Sequence, residues 1–342
     1  MTARYRALVI GAGSIGERHI RCFLATERAD VAICEPNATI RNVIRERYGT
    51  LQSFECLDDA LSESFDLAIV ATPAPLHILQ ARLLVEKGIR PLVEKPLSLN
   101  LDGIVELDRA ASRRRLVAGV AYPYRAHPAL AAMRDAIASS RFGQTLEVIA
   151  VAGQHFPTYR PAYRDIYYRD RATGGGAIQD ALTHLINAVE WVVGPTTSVV
   201  ADAAHLRLEG VTVEDTVHVL ARNTEVATSY ALNQHQPANE LTVTVICERG
   251  QARFEAHRAK WSWITDVDGD WRDAGFTLDR DTLFRRQAEA FLDAIEARQS
   301  PLCSINEGAA TVKTVLAILA SLESRRWEQI RAAGPELAQT KS

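Results

Sequence analysis

Ala7-Leu8-Val9-Ile10-Gly11-Ala12-Gly13-Ser14-Ile15-Gly16 joins a short apolar run to a glycine loop, and a helical pattern through Ile20, Phe23 and Leu24 follows. That order reads as a strand, a tight turn and a helix whose N-terminus receives a pyrophosphate. Gly11 allows the turn, Gly13 lets a phosphate approach the backbone, and Gly16 lets the helix pack closely on the strand. A second strand, Val31-Ala32-Ile33-Cys34, ends at Glu35. This is about 20 residues beyond the loop, where an acidic group binds the adenosine ribose hydroxyls and repels the extra phosphate of NADP. NAD is therefore the expected cofactor; NADP stays open, because Arg41 is near enough in sequence to swing toward a phosphate.

Outward from the loop, short apolar strands alternate with helical patterns as far as residue 121. Asp66–Ala71, Pro91–Glu94 and Leu116–Val120 read as strands, and Pro75–Glu86 and Leu101–Arg113 as helices. Continuous apolar strands separated by helices imply a parallel sheet covered on both faces, here a doubly wound Rossmann domain over residues 1–121. From about residue 145 the rhythm changes. Thr216–Leu220, Glu225–Gln234, Leu241–Cys247 and Gln251–Glu255 alternate like half-buried antiparallel strands, and Asp268-Gly269 is a hairpin signal. Residues 122–330 are accordingly expected to form an α+β domain with a large open, mostly antiparallel sheet that binds substrate. The free face of such a sheet suits a homodimer or homotetramer. The helical patterns Leu283–Ala297 and Glu307–Glu323 should pack back toward the first domain, with 331–342 as a loose tail.

The bulk properties agree with an α/β enzyme of two domains. The chain has 342 residues, 47% hydrophobic and 24% charged, with a net charge of −3. That length favours two cores, and that charge gives no reason to expect nucleic acid. No apolar run approaches a bilayer span and no signal peptide is evident, so no membrane partner and a cytoplasmic location are expected. Cys22, Cys34, Cys56, Cys247 and Cys303 lack the spacing of a disulfide framework or zinc site. They are expected to be buried, and the chemistry to need no metal.

The second informative stretch is Gly174-Gly175-Gly176-Ala177-Ile178-Gln179-Asp180-Ala181-Leu182-Thr183-His184. On an α-helix, residues four apart share a face, so Asp180 and His184 would project together into the cavity that the glycines border. His supplies a base near working pH, and a neighbouring anion orients it and favours its charged form. Upstream lies a segment, His155 to Arg171, dense in Arg and Tyr. Such residues suit carboxylates, phosphates and sugars. His155, Tyr163 and Arg164, with Arg125, are candidate substrate-lining residues, unless the segment instead contacts a neighbouring subunit.

Together these motifs resemble the glucose–fructose oxidoreductase/inositol dehydrogenase/rhizopine catabolism (GFO/IDH/MocA) family of NAD(P)-dependent oxidoreductases. The resemblance runs from about residue 5 to 325. It is carried by Gly11–Gly16, Ala71-Thr72-Pro73, Glu94-Lys95-Pro96, Tyr124-Arg125-Ala126-His127-Pro128, and Gly174–Gly176 leading to Asp180 and His184. It implies cofactor contacts from Gly11, Gly13, Ser14, Ile15, Gly16, Glu35, Thr72, Pro73, His77, Glu94 and Lys95. It also implies catalysis by Lys95, Asp180 and His184, which would touch the substrate as well, and a cis Lys95–Pro96 bond. Asn187 departs from the pattern, standing where many members have a second Asp three residues after the His. The implied reaction is hydride transfer between NAD and a secondary alcohol or ketone of a sugar, cyclitol or sugar-derived, possibly nucleotide-linked, substrate. Two alternatives are an NAD-dependent glycosidase or epimerase with transient oxidation, and a non-catalytic dinucleotide sensor.

Overall fold

The structure, a computed structural model, describes residues 4–49 and 51–331, so all but the first residue of the expected tail lies outside it. Its first part runs β1 (Tyr5–Ile10), α1 (Ser14–Leu24), β2 (Ala29–Cys34), α2 (Ala38–Tyr48), β3 (Ser53–Phe54) and α3 (Leu57–Ala60). It continues with β4 (Leu67–Val70), α4 (His77–Glu86), β5 (Arg90–Glu94), α5 (Ile104–Arg113) and β6 (Gly119–Ala121). The sheet order is β3-β2-β1-β4-β5-β6, and every pairing is parallel. All four residues of β4 are buried, as expected for a strand covered on both faces. The order reverses between β1 and β4, so a crevice opens beyond their carboxyl ends, where open α/β sheets hold ligands.

Element ends differ from the periodicity where backbone geometry intervenes. Gly103, with φ +73°, starts α5 three residues later than the apolar pattern. A single 3₁₀ turn, Ala74–Leu76, precedes α4. Leu116 closes the end of α5 by donating to the Ala111 carbonyl (2.9 Å), which shortens β6 to three residues.

The second part comprises α6 (Pro128–Ala138), β7 (Thr145–Gly153), a short helix α7 (Phe156–Tyr159), α8 (Thr183–Val193), β8 (Ser198–Ala204), β9 (Thr216–Asn223) and β10 (Val226–Asn233). After these come β11 (Glu240–Cys247), β12 (Gly250–Glu255), β13 (Lys260–Ile264), β14 (Arg272–Gly275), α9 (Thr282–Ala297), α10 (Ile305–Ser324) and β15 (Glu328–Gln329). Its nine strands are ordered β14-β13-β12-β11-β7-β10-β9-β8-β15, antiparallel throughout except for β7 against β10. β9 and β10 alternate buried with more exposed residues, and the buried set forms one core with α6, α8 and part of α10. On the opposite face Ile149 and Leu220 stand exposed in one row, each opposite Ser229. Asp268-Gly269 does lie between paired strands, in a connection longer than a two-residue turn.

The last two long helices return to the first domain. Ala288, Phe291, Leu292 and Ile295 of α9 complete one side of the parallel-sheet core. α10 contributes Val312 to the other side, and Val315 and Ile318 to the core of the second sheet. By length and composition alone α10 would suffice to cross a membrane, contrary to the expectation that no such stretch exists; it serves as the helix joining the two cores. Cys56 corrects another expectation, since it is exposed while the other four cysteines are buried.

Candidate active site

The glycine loop has the geometry that a dinucleotide requires. Gly11 has φ +87°, and a Cβ there would lie 2.7 Å from the Ala71 carbonyl oxygen. A Cβ on Gly16 would lie 1.8 Å from the Gly11 oxygen, whereas one on Gly13 would meet nothing within 4 Å. Two glycines thus serve packing and the third borders open space. α1 starts immediately after Gly13 with no side-chain cap, so its first N–H groups are presented to that space. At the end of β2 the buried Glu35 carboxylate accepts from Ala12 N (2.8 Å) and Asn37 N (2.9 Å), which fixes it against the loop. Arg41 is tied down, donating to the carbonyls of Glu35 (2.6 Å) and Pro36 (3.2 Å) and pairing with Glu55. These features fit NAD.

Two of the residues implied as cofactor contacts brace the rim. The ring nitrogens of His77 lie 2.8 Å from the Thr72 carbonyl and 2.9 Å from the Pro96 carbonyl, so His77 clamps the turn after β4 to the turn after β5. Burial lowers its pKa, and the two carbonyls oppose that shift. Buried Glu94 accepts from Lys95 N (3.0 Å) and pairs with His19 Nε2 (2.6 Å). His19, three residues after Gly16, was not anticipated; it ties the first helix to Glu94, the last residue of β5, next to Lys95. Thr72 donates to Gln80 (2.6 Å), Pro73 is exposed, and the Lys95–Pro96 bond is cis.

Lys95 reaches from the first domain into the second. Its Nζ donates to Asp180 Oδ1 (2.9 Å) and to the Asp180 carbonyl (3.0 Å), and Tyr167 Oη donates to the same Oδ1 (2.7 Å). Residues Ala177–Leu182 form a π-helical turn rather than the expected α-helix, which begins only at Thr183. Such turns cluster at functional sites because they redirect side chains. The three glycines before it are needed locally. A Cβ on Gly175 would lie 2.1 Å from the Tyr168 oxygen and one on Gly176 2.5 Å from Glu214 Oε1, and Gly174 and Gly176 have φ near +90° (+93° and +88°). Glu214 then accepts from Ile178 N (3.1 Å).

Asp180 makes no hydrogen bond to His184 among the described residues, because its carboxylate turns to Lys95 and Tyr167. Neither ring nitrogen of half-buried His184 has a hydrogen-bond partner among the described residues, and its Nδ1 is enclosed. Its ring is held edge-on by Tyr122 (6.1 Å) and Tyr124 (5.7 Å). Burial pushes its pKa down, the Lys95 ammonium pushes further, Asp180 opposes and Arg160 adds to the lowering, giving about 3. The imidazole is therefore neutral: Asp180 does favour its charged form, as expected, but burial and the Lys95 ammonium outweigh it. For Asp180 burial acts upward, but Lys95, Arg160 and the Lys95 and Tyr167 hydrogen bonds more than reverse it, to about 2. Burial and the Asp180 charge raise the Tyr167 phenol, keeping it protonated.

The other candidate substrate residues are not gathered here. Buried Arg125 donates to Asn187 Oδ1 (2.8 Å) and to the Leu302 carbonyl (3.0 Å) and pairs with Glu307, an internal brace to α10 rather than a substrate wall. Asn187 completes that brace by donating to Thr311 (3.0 Å). Tyr163 is buried with Phe156 and Tyr168 in a small core of its own and donates to the Glu209 carbonyl (2.7 Å), while Arg164 donates to Tyr163 Oη (3.0 Å). The His155 ring meets the Thr158 hydroxyl (2.7 Å) and no other side chain among the described residues. The segment does line the site, through Tyr167.

Comparison with known proteins bears on this geometry. Residues 5–122 match the model of the oxidoreductase family with an NAD-binding Rossmann fold, and residues 130–253 match the GFO/IDH/MocA C-terminal domain. The chain is 25% identical over 315 residues to inositol 2-dehydrogenase of Corynebacterium glutamicum, a match covering 86% of this chain and 87% of that protein. It is 26% identical over 193 residues to the rhizopine catabolism protein MocA of Rhizobium meliloti, covering 56% of this chain and 58% of that protein. A solved levoglucosan dehydrogenase in complex with NADH and levoglucosan superposes with a TM-score of 0.88 at 20% identity, covering 96% of this chain and all of that one (100%).

Proposed function

This chain belongs to the GFO/IDH/MocA family of NAD-binding oxidoreductases, and on that premise we propose that it moves a hydride between NAD and a secondary alcohol or ketone of a sugar, cyclitol or sugar-derived molecule. The observation that carries the reading is the Lys95–Asp180–Tyr167 cluster beside a neutral, unpartnered His184 at the rim of the dinucleotide crevice. Gly13 and the start of α1 would hold the pyrophosphate, and Glu35 would take the adenosine ribose. With Arg41 already engaged, NAD is preferred to NADP. The bound nicotinamide supplies the hydride acceptor, or the donor in reverse.

In the oxidation direction His184 accepts the hydroxyl proton through its free ring nitrogen as the C–H bond is broken. Lys95 is aimed by two acceptors of one residue, which leaves its third N–H for the substrate oxygen, where it stabilises developing negative charge. Asp180 holds Lys95, and Tyr167 holds Asp180, so both are positioning groups. Because the imidazolium is disfavoured next to Lys95, His184 readily passes the proton on to solvent after oxidation. The relatives named as inositol and levoglucosan dehydrogenases support a polyhydroxylated substrate. The exposed Ile149 and Leu220 support self-association through the free sheet face, and light scattering during gel filtration tests that part.

A panel of sugars, cyclitols and sugar nucleotides screened for NADH formation at about 340 nm tests the reading. The expected result is NAD-dependent turnover that His184→Ala and Lys95→Ala abolish. Product formation with no net absorbance change would assign the site to transient oxidation instead, and NAD binding without turnover of any compound would make the chain a sensor.

A further inference from the structure

Lys95 stands beside two buried carboxylates, and its ammonium engages one of them. Asp180 takes Nζ from the second domain (2.9 Å to Oδ1), although Glu94 precedes Lys95 in the chain and already accepts from its main-chain N–H (3.0 Å). The four-carbon stem is flexible enough to curl back on such a neighbour, so its length does not make the choice. Glu94 divides its oxygens, Oε2 to Lys95 N and Oε1 to His19 Nε2 (2.6 Å). A carboxylate only accepts, so Nε2 carries the hydrogen of that bond. His19 is 1% exposed and packs against Phe23 (6.4 Å) and Phe284 (5.6 Å), and its Nδ1 has no hydrogen-bond partner among the described residues. Glu94 is thus the ring's single hydrogen-bonding contact among those residues, in a wall that an apolar side chain would fill at less cost.

We propose that His19 is a positioning residue for Lys95: by engaging Glu94 from the first helix, it fixes the main chain at the root of the lysine and leaves the ammonium to Asp180 and the substrate oxygen. The inference rests on the reading of Lys95 as the group that holds that oxygen, and it adds a residue that acts only through another. Without the imidazole, Glu94 is a buried carboxylate short of a donor, and a buried charge in that state draws a cation to itself. The ammonium of the next residue answers that need. Its departure would leave the Asp180 carboxylate to Tyr167 and take positive charge from beside His184, where burial and the Lys95 ammonium, aided by Arg160 and opposed by Asp180, hold the pKa at about 3.

The test uses the intact chain as His19→Leu, as His19→Gln, whose amide places a donor where Nε2 stands, and as the double variant His19→Leu/Glu94→Gln, which removes the competing charge but keeps an acceptor for Lys95 N. Ile20→Val, on the same helix and in the core of the parallel sheet, is the packing control. The His184 ring is followed by NMR titration, and kcat, KM and NAD affinity are measured on the sugar found in the panel. His19→Leu is expected to raise the His184 pKa from about 3 toward the ordinary value near about 6.5 and to lower kcat roughly tenfold or more, with NAD affinity unchanged. His19→Gln should stay within roughly twofold of the unmodified rate, and the double variant should return the His184 titration toward that of the unmodified protein. Ile20→Val should lower Tm by a few degrees and move neither readout. Should His19→Leu not fold, His19→Asn, whose shorter amide stops short of Glu94, takes its place with the same expectations. An unmoved His184 titration in that variant, equal losses in His19→Gln, or a double variant as shifted as the single one overturns the proposal. The titration needs no substrate, which keeps the two readings apart. A His184 shift that the double variant reverses, without turnover of any compound by the unmodified protein, upholds the positioning role while the dehydrogenase reading falls; turnover by the unmodified protein with a His184 titration that His19→Leu leaves in place sinks the positioning role alone.

Discussion

Two glycine clusters frame this site, and they do opposite things. In Gly11–Gly16 the middle glycine faces open space, and its neighbours allow the strand and helix to come together. In Gly174–Gly176 the central glycine faces the Tyr168 carbonyl and the last faces Glu214, so that cluster is filled by the protein itself. One makes room for a ligand, and the other lets a loop close tightly over a π turn that delivers Asp180 to Lys95. Glycine richness alone does not announce a phosphate cradle; what a Cβ would meet separates the two uses.

Adding that Cβ is the strongest way to break the comparison. Gly16→Ala and Gly175→Ala place a methyl within 1.8 and 2.1 Å of backbone oxygen, and each should destabilise the fold by about 3 kcal/mol or more in denaturant titrations. Gly13→Ala, with nothing in its way and an ordinary φ of −64°, should leave stability within about 0.5 kcal/mol and weaken NAD binding. Equal destabilisation by all three would erase the distinction.

Lys95 is the link between the two regions, so Lys95→Met should show how the second depends on the first. In the unmodified protein the His184 pKa of about 3 means that this ring stays neutral from pH 5 upward, with no His184 limb in kcat/KM there. Removing the ammonium takes away a lowering influence and leaves the Asp180 anion, so the pKa should rise toward the ordinary value near about 6.5 in an NMR titration, alongside a large loss of turnover. A ring that titrates normally in the unmodified protein would contradict the electrostatics described here.

Smaller effects sharpen the picture. Tyr167→Phe removes one of two side-chain hydrogen bonds to Asp180 and should lower turnover roughly fivefold with NAD affinity unchanged; an unchanged rate would make that contact incidental. Smallest is Glu35→Ala, which should weaken NAD severalfold and narrow its advantage over NADP in calorimetry. Tighter NADP binding by the unmodified protein would remove Glu35 from that role.

The same contrast explains what was legible. The Rossmann half is written in local order, since strand, loop, helix and the acidic strand end each lie within one unit, and the parallel sheet follows from them. Lys95 was legible at a strand end, and the alternation of β9 to β12 announced the second sheet. The π turn was not, because Glu214, which accepts from Ile178, lies 36 residues further along the chain. Arg125 looked like a ligand group beside a tyrosine, yet its carboxylate partner Glu307 stands on α10, 182 residues away. Tyr167 lay in a segment marked as a substrate wall, but successive 3₁₀ turns decide which of its tyrosines faces inward, and they sent Tyr163 into a core instead. Long-range partners outweighed helical spacing for Asp180 as well.

The central claim is that neutral His184 moves the hydroxyl proton while Lys95, held by Asp180, positions the oxygen. It is tested most directly by the steady-state rate of His184→Ala on the sugar found in the panel, measured together with its NAD dissociation constant. Turnover roughly a hundredfold or more below the unmodified protein, with NAD affinity retained, is the predicted result. Near-full turnover with an unaltered pH profile would contradict it and move the proton to another group.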